Sequence, residues 1–115
     1  MVRVGVIGYG YWGPNVVRNF SQTPEAKVVA VCDKNTEALT KMVSKYPAIR
    51  AESECEDILK APDIDAICIV TPVSSHFPIA KKALCNGKHI FVEKPFTQTT
   101  DQAKELIDLA AGKGL

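Results

Sequence analysis

The chain has 115 residues, of which 46% are hydrophobic and 23% are charged, and its 14 lysines and arginines nearly balance 13 aspartates and glutamates. This composition is typical of one globular domain, and the balanced charge argues against nucleic acid or an anionic membrane surface as a partner. The N-terminal apolar run is too short for a signal peptide or a membrane span, so we expect a cytoplasmic protein.

The first pattern in the chain is a strand followed by a turn and a helix. Residues 2–7, with the apolar run of residues 4–7, predict a short buried strand, and Pro14 suits the first turn of the next helix. Trp12, Val16 and Phe20 recur at helical spacing. This spacing predicts that Trp12 packs in the core.

The second strand and helix follow at once. Residues 27–32 are apolar on both faces, as expected of a strand that is covered by helices on each side. Asn35 or Thr36 is the predicted cap of the next helix, which ends before Pro47. The predicted apolar stripe of this helix consists of Leu39, Met42, Val43 and Tyr46.

The middle of the chain predicts two strands and two helices. Residues 48–52 are a candidate third strand, and Ser53 and Glu56 have the spacing of a capping box for a brief helix. Residues 65–70 predict a buried fourth strand. The helix after it ends at Asn86-Gly87, and its predicted apolar positions are Phe77, Ala80, Ala83 and Leu84.

The last elements are a fifth strand and a final helix. Residues 89–92 predict the strand, and Thr99 with Gln102 forms a predicted capping box for a helix that ends near Gly112 or Gly114. Its predicted apolar face consists of Ala103, Leu106, Ile107 and Ala110. The alternation predicts a doubly wound α/β fold, in which a mainly parallel sheet has helices on both faces. Five of the six strands usual in such a sheet are counted, so we expect the leading part of a longer protein.

The turn after the first strand carries a G-x-G-x-x-G motif. In such a turn the first glycine permits the tight bend, the second lets the backbone approach a pyrophosphate, and the third allows close helix packing. The helix that follows offers unpaired N–H groups and a partial positive charge to the phosphates. Residues 1–115 therefore predict a Rossmann dinucleotide-binding domain, with a cofactor loop that consists of Gly8, Tyr9, Gly10, Tyr11, Trp12 and Gly13.

An acidic residue follows the glycine motif at the expected distance. Asp33 comes 20 residues after Gly13, at the end of the second strand, where a carboxylate can accept the adenosine ribose hydroxyls. At about 4 Å it would repel a 2′-phosphate by several kcal/mol, so we expect NAD rather than NADP. Lys34 has two interpretations. It is either a cation of this site that would weaken the repulsion between Asp33 and a 2′-phosphate, or a lysine that is exposed to solvent and has no role in binding. The alternative for the whole motif is a glycine-rich turn whose aspartate merely caps the next helix.

The cysteines do not indicate a metal or redox motif. Cys32, Cys55, Cys68 and Cys85 contain no C-x-x-C pair. We therefore expect reduced, mostly buried thiols and no metal site.

Three further motifs carry a resemblance to a known family. They are Thr71-Pro72-Val-Ser-Ser-His76, Ala83-Leu84-x-x-Gly87-Lys88-His89 and Glu93-Lys94-Pro95. Their order and spacing resemble the N-terminal domain of the glucose-fructose oxidoreductase and inositol dehydrogenase family (Gfo/Idh/MocA) over nearly the whole chain. The opening GYGYWGPN also resembles members that act on nucleotide-linked sugars, such as UDP-N-acetylhexosamine or uronate 3-dehydrogenases.

The resemblance implies roles for the first of these motifs. Thr71 and Pro72 would line the nicotinamide end of the cofactor site. His76 would lie near the nicotinamide ribose, although it could equally be an ordinary polar residue in the first turn of a helix.

The resemblance also implies the catalytic residue. Glu93 would contact the nicotinamide ribose, and Lys94 would face the reacting carbon from the end of the fifth strand. Pro95 is expected to follow a cis peptide that fixes the direction of the Lys94 side chain. A lysine ammonium suits the oxidation of a sugar carbinol, because it stabilises the developing alkoxide.

The expected function is therefore that of a dehydrogenase domain. We expect the full-length protein to transfer a hydride between a sugar or sugar-nucleotide carbinol and nicotinamide, and to form homo-oligomers. The family's substrate domain and proton acceptor would lie outside these residues, so the 115 residues alone should bind NAD without turning over a sugar. One alternative is a non-catalytic NAD(P)-sensing or scaffolding module. Another is a methyltransferase, which the second glycine of the motif and the Glu93-Lys94-Pro95 segment argue against.

Overall fold

The computed structural model describes residues 1–115 and confirms the doubly wound α/β fold. Five parallel strands lie in the order β3-β2-β1-β4-β5. The strands are β1 Val2–Ile7, β2 Ala26–Cys32, β3 Arg50–Glu52, β4 Ala66–Ile69 and β5 His89–Val92. The helices are α1 Gly13–Ser21, α2 Thr36–Lys45, α3 Cys55–Leu59, α4 His76–Cys85 and α5 Thr100–Lys113, and a 3₁₀ turn, Val73–Ser75, precedes α4.

Helices cover both faces of the sheet, and alternate strand residues point to opposite faces. On one face, α1 and α2 bury Val17 and Met42 against Val6 and Val31. On the other face, α3, α4 and α5 pack against the sheet, with this core including Ile7, Ile58, Ile67, Ile69, Leu84 and Leu106. Full burial of each such side chain contributes about 1.5–3 kcal/mol, so these two layers hold the strand ends in place.

The short helix α3 packs directly on β1. A Cβ atom at Gly5 would lie 2.7 Å from Ile58 Cγ2 and 3.0 Å from Ile64 Cδ1. The β1–β2 register shifts by one residue at this point, because Val4 pairs with Val28 while Gly5 pairs with Ala30. The glycine therefore gives the helix and the following loop room to approach the sheet.

Two predicted helix caps are confirmed and one is wrong. The Asn35 side chain accepts hydrogen bonds from the first turn of α2, and Thr99 Oγ1 accepts one from Gln102 N at 3.2 Å. Ser53 does not cap α3, because the helix begins one residue later than the capping box requires. Glu54 takes the cap position there, without a side-chain hydrogen bond.

The predicted core position of Trp12 is wrong. Trp12 precedes α1, remains 47% exposed and stacks on Tyr11 with a centroid distance of 6.0 Å. The helical stripe does not extend back to residue 12, because the chain there is still in the loop. Tyr9 instead fills the core on this side and is 8% exposed.

Three other positions are more exposed than the sequence predicts. Ile107 is 59% exposed, since the buried stripe of α5 is narrow and centres on Leu106. Val43 lies at the border of the α2 stripe and is 37% exposed. Cys85, the last residue of α4, is exposed, while Cys32 and Cys68 are buried as expected.

A buried lysine joins two loops at the amino end of the sheet. Lys88 is 7% exposed, and its ammonium donates hydrogen bonds to the carbonyl oxygens of Ala61 and Ile64. Near this end, Arg3 forms a two-point ion pair with Asp65, with N–O distances of 2.8 and 3.0 Å. None of the helices is long and apolar enough to cross a bilayer.

Candidate functional site

The candidate site lies at the carboxyl edge of the sheet, where the crossover connections leave in opposite directions from β1 and β4. Open α/β sheets bind ligands at such a switch point. Backbone hydrogen bonds continue past the strand ends here: Gly8 N donates to Cys32 O and Val70 N to Ile7 O, both at 2.8 Å. The loops that begin at this edge are therefore fixed to neighbouring strands.

Two glycines of the loop after β1 are required by packing within the protein itself. Gly8 has φ of +105°, and a Cβ atom on it would lie 2.5 Å from Val70 O. A Cβ atom on Gly13 would lie 2.5 Å from Gly8 O, so the first turn of α1 sits against the loop. These contacts confirm the tight turn and the close helix packing that the motif predicts.

The middle glycine is in a different environment. No heavy atom lies within 4 Å of a Cβ atom built on Gly10. No side chain caps the N-terminus of α1 beside it, and the first turn of this helix contains no acidic residue. The open space and the uncompensated positive end of α1 fit a diphosphate at this position.

Asp33 lies against the glycine loop. Its Oδ2 accepts a hydrogen bond from Tyr9 N at 2.7 Å, and its Oδ1 accepts one from Asn35 N at 2.8 Å. Each carboxylate oxygen has capacity for a further hydrogen bond, and the residue is half-buried. The acid and the glycine loop therefore form one unit on the same edge of the sheet, with acceptor sites that fit ribose hydroxyls.

A cavity of about 410 Å³ opens between the loops after β1, β2 and β4. This volume is in the range that holds small ligands. Among the predicted residues, the cavity is lined by Gly8, Gly10, Asp33, Lys34, Thr71 and Pro72. Sequence reasoning missed the other residues of its lining, namely Ile7, Cys32, Cys55, Val70, Ser75 and Ile79.

Ser75 shapes the loop after β4. Its hydroxyl lies 2.6 Å from Thr71 Oγ1 and 2.8 Å from Pro72 O. These contacts hold the Thr71-Pro72 segment in a turn that opens toward the cavity. The sequence contains a signal for this role, since serine is common in turns that bond their own backbone.

His76 is a buried bridge between two loops. The side chain is 1% exposed, with Nδ1 2.9 Å from Pro95 O and Nε2 2.8 Å from Thr71 O. Carbonyl oxygens only accept hydrogen bonds, so a neutral imidazole satisfies one of them and an imidazolium satisfies both. Both ring nitrogens face protein carbonyls, and the ring joins the loop after β4 to the segment after β5.

Glu93 and Lys94 lie outside the cavity. Glu93 Oε1 accepts a hydrogen bond from Lys94 N at 3.0 Å, and the Lys94–Pro95 peptide bond is cis, as the resemblance implies. The exposed Lys94 side chain lines a separate groove beside Val92 and Phe96. The structure thus brings the glycine loop, Asp33 and Thr71 together, and connects Lys94 to them through His76 and the backbone.

None of the three aromatic residues of the loop lines the cavity. Tyr9 is buried in the core, whereas Tyr11 is 95% exposed and stacks on Trp12. The backbone amide of Tyr9, rather than its ring, takes part in the site through Asp33. No group of three or more histidine, cysteine, aspartate or glutamate side chains is close enough to hold a metal ion.

Comparisons with known proteins agree with this geometry. The family model GFO_IDH_MocA, described as an oxidoreductase family with an NAD-binding Rossmann fold, matches residues 2–115. The uncharacterized oxidoreductase YdgJ of Escherichia coli is 41% identical over 98% of the chain and 32% of its own length. A glycosyl hydrolase family 109 protein of Streptomyces filamentosus is 39% identical over 95% of the chain and 24% of its own length.

A solved structure extends the comparison to a bound cofactor. KijD10, a 3-ketoreductase from Actinomadura kijaniata in complex with NADP and TDP-benzene, is 26% identical, with a TM-score of 0.92 over 99% of this chain and 35% of its own. The chain therefore spans 24% to 35% of the length of these three proteins.

Proposed function

Because the chain belongs to the Gfo/Idh/MocA oxidoreductase family and forms its NAD-binding Rossmann domain, we propose that the full-length protein transfers a hydride between a sugar or sugar-nucleotide carbinol and nicotinamide. The nicotinamide ring, when bound, supplies the hydride acceptor or donor. The residues described here bind that cofactor and orient it. The sugar-binding groups and the proton acceptor are expected from the remainder of the protein.

The observation that carries the proposal is the contact between Asp33 and the glycine loop. The Asp33 carboxylate accepts a hydrogen bond from Tyr9 N at 2.7 Å and also lines the cavity. It can accept further hydrogen bonds there from the hydroxyl groups of the adenosine ribose. A 2′-phosphate at that position would meet this negative charge. We therefore propose NAD as the preferred cofactor over NADP, with Lys34 at the rim of the same cavity.

Lys94 is the proposed catalytic residue. It follows the carboxyl end of β5, and its backbone amide donates a hydrogen bond to Glu93 Oε1. The exposed ammonium can approach a substrate that is bound above this edge. A positive charge there stabilises the alkoxide that develops as the carbinol loses its proton.

Two relatives support a sugar or sugar-nucleotide substrate. One is named as a glycosyl hydrolase, and the other is a 3-ketoreductase whose structure contains TDP-benzene, a nucleotide derivative. Domains of this fold serve many substrates, so the substrate class needs a direct test. Spectrophotometric assay of the full-length protein with NAD and a panel of sugars and sugar nucleotides would provide it, and reduction of NAD by none of them would contradict the proposal.

Calorimetric titration tests the cofactor site. We expect NAD to bind more tightly than NADP, and Asp33→Asn to weaken NAD binding by about 10–150-fold, because a hydrogen bond to a charged group contributes about 1.5–3 kcal/mol. Asp108→Asn on the exposed side of α5 is the matched control and should bind NAD normally. Equal NAD affinity in both variants would show that Asp33 does not bind the ribose.

A second pair of variants separates an enzyme from a sensing or scaffolding module. In the full-length protein, Lys94→Ala should lower kcat by about 100-fold or more while NAD affinity stays within about twofold. Lys104→Ala, an exposed lysine of α5, should leave both unchanged. Normal turnover of Lys94→Ala would remove the proposed catalytic role.

A further inference from the structure

Two cysteine thiols are in contact at the cofactor cavity. Cys32 is the last residue of β2 and Cys55 is the first residue of α3, and Cys32 Sγ donates a hydrogen bond to Cys55 Sγ at 3.5 Å. Both residues line the cavity that contains Gly10 and Asp33. The other two cysteines are separate from this pair, because Cys68 is buried in the opposite core layer and Cys85 is exposed at the end of α4.

The two thiols are chemically different. The hydrogen bond from Cys32 lowers the pKa of the Cys55 thiol, and the charge of Lys34 acts in the same direction. Donation of that hydrogen bond and burial raise the pKa of Cys32. Cys55 is also partly exposed while Cys32 is buried. Because the thiolate is the nucleophilic form, Cys55 is the residue that reacts first with an oxidant, and Cys32 lies beside it as a protonated partner.

The pair is connected to the glycine loop through the backbone. Cys32 O accepts the hydrogen bond of Gly8 N at 2.8 Å, and the adjacent carboxylate of Asp33 accepts that of Tyr9 N at 2.7 Å. A covalent bond between the two sulfurs requires them to approach from 3.5 Å to bonding distance. Because Cys32 ends β2 and Cys55 begins α3, such a bond would tie these two elements together directly beside the support of the cofactor loop.

We propose that Cys32 and Cys55 are a reversible oxidation site, at which hydrogen peroxide forms an intramolecular disulfide that lowers the affinity of the domain for NAD. The Cys55 thiolate attacks one peroxide oxygen and breaks the O–O bond, which gives a sulfenic acid and, after proton uptake, water. The sulfur of Cys32 then displaces the sulfenic hydroxyl, so the S–S bond forms, the S–O bond breaks and a second water leaves with the Cys32 proton. The two thiols lose two electrons, and hydrogen peroxide takes them up.

Cofactor binding in the cavity should in turn protect the two thiols from oxidation. A cofactor bound between Gly10 and Asp33 would shield Cys55 from solvent, because all three residues line one cavity. Binding and oxidation are then linked, and the factor by which oxidation weakens NAD binding equals the factor by which NAD disfavours the disulfide at equilibrium. The site therefore couples the redox state of the surroundings to the amount of bound cofactor.

The first test is chemical and needs no cofactor. The purified protein is treated with hydrogen peroxide, and peptide mapping by mass spectrometry should find a cross-link between the peptides of Cys32 and Cys55 that dithiothreitol reverses. Cys85→Ser is the matched control, since it removes the exposed thiol outside the cavity and should leave the cross-link in place. Cys55 found as a sulfinic acid without a cross-link, or a cross-link through Cys85 alone, would overturn the proposal.

The second test measures NAD binding by calorimetry before and after oxidation, each variant being compared with its own reduced form. Oxidation should weaken NAD binding of Cys85→Ser by about tenfold, with recovery in dithiothreitol, and should leave Cys55→Ser unchanged. If Cys55→Ser does not fold by circular dichroism, Cys55→Ala serves instead. A Cys32–Cys55 cross-link with unchanged NAD affinity would overturn the regulatory role. NAD binding of the reduced protein is read separately, so failure of the proposed cofactor site would not be mistaken for failure of this one.

Discussion

Substitution of the middle glycine of the cofactor loop separates binding from folding. Gly10→Ala places a methyl group where no protein atom lies within 4 Å, and the φ angle of Gly10 is not in the left-handed region. The folded domain therefore accepts the methyl group without strain. Loss of backbone freedom in the unfolded chain should leave the stability unchanged or raise it by up to about 1 kcal/mol.

The same methyl group should impair cofactor binding. If the diphosphate approaches the backbone at Gly10, the side chain displaces it from the amides of the loop and the first turn of α1. Loss of one hydrogen bond to a charged group costs about 1.5–3 kcal/mol, which corresponds to roughly 10–150-fold weaker NAD binding. Calorimetric titration measures this affinity, and thermal unfolding by circular dichroism measures the stability of the same samples.

Two further glycine variants complete the test. Gly8→Ala combines a φ of +105° with a Cβ atom 2.5 Å from Val70 O, so it should destabilise the fold itself by about 2–5 kcal/mol. Gly112→Ala in α5 also has open space around it and should stabilise the helix by about 1 kcal/mol with unchanged NAD affinity. Wild-type NAD affinity of Gly10→Ala would refute the close approach of the phosphates at this loop.

Other variants test the supports of the site and the response of the fold to acid. Lys88→Met should lower the free energy of unfolding in urea by about 1–3 kcal/mol, since two buried carbonyls lose their donor, and Lys104→Met is the exposed control. His76→Leu should lower the same free energy by about 1–3 kcal/mol, because the imidazole no longer donates a hydrogen bond to a carbonyl oxygen of the two loops, and a stability equal to wild type would contradict the bridge between loops. The Arg3 guanidinium holds the pKa of the Asp65 carboxyl well below its usual range. This ion pair stabilises the fold above the unfolded pKa near 4 and is lost as the pH falls below it, so Asp65→Asn should show a smaller decrease in Tm below about pH 4 than wild type.

The sequence predicts the fold where local patterns agree with the tertiary structure. Residues 28–32 are all apolar, and the structure places them in an inner strand with helices on both faces. Asn35 and Thr99 were predictable as caps because a cap depends only on the next three residues. The exposure of Trp12 could not be predicted, because helical spacing does not reveal that the helix begins after this residue.

The site is predictable in part for a related reason. The glycine motif and Asp33 follow a spacing that is fixed by one strand-helix-strand unit, so they could be placed in advance. His76, Lys88 and the contact of Cys32 with Cys55 depend on residues that are 19 to 27 positions away in the chain. Such contacts have no local pattern, and only the packing of distant elements reveals them.

The structure also changes how a loss of function at Asp33 should be interpreted. One carboxylate oxygen accepts a hydrogen bond from the Tyr9 amide, and the other accepts one from the Asn35 amide. An asparagine at this position keeps one acceptor oxygen and replaces the other by an NH₂ group, which cannot accept a hydrogen bond. Asp33→Asn therefore removes a support of the glycine loop as well as a partner for the ribose. Weaker NAD binding with an unchanged Tm identifies the ribose contact, whereas a lower Tm without ligand identifies the support, so both quantities have to be measured on the same variant.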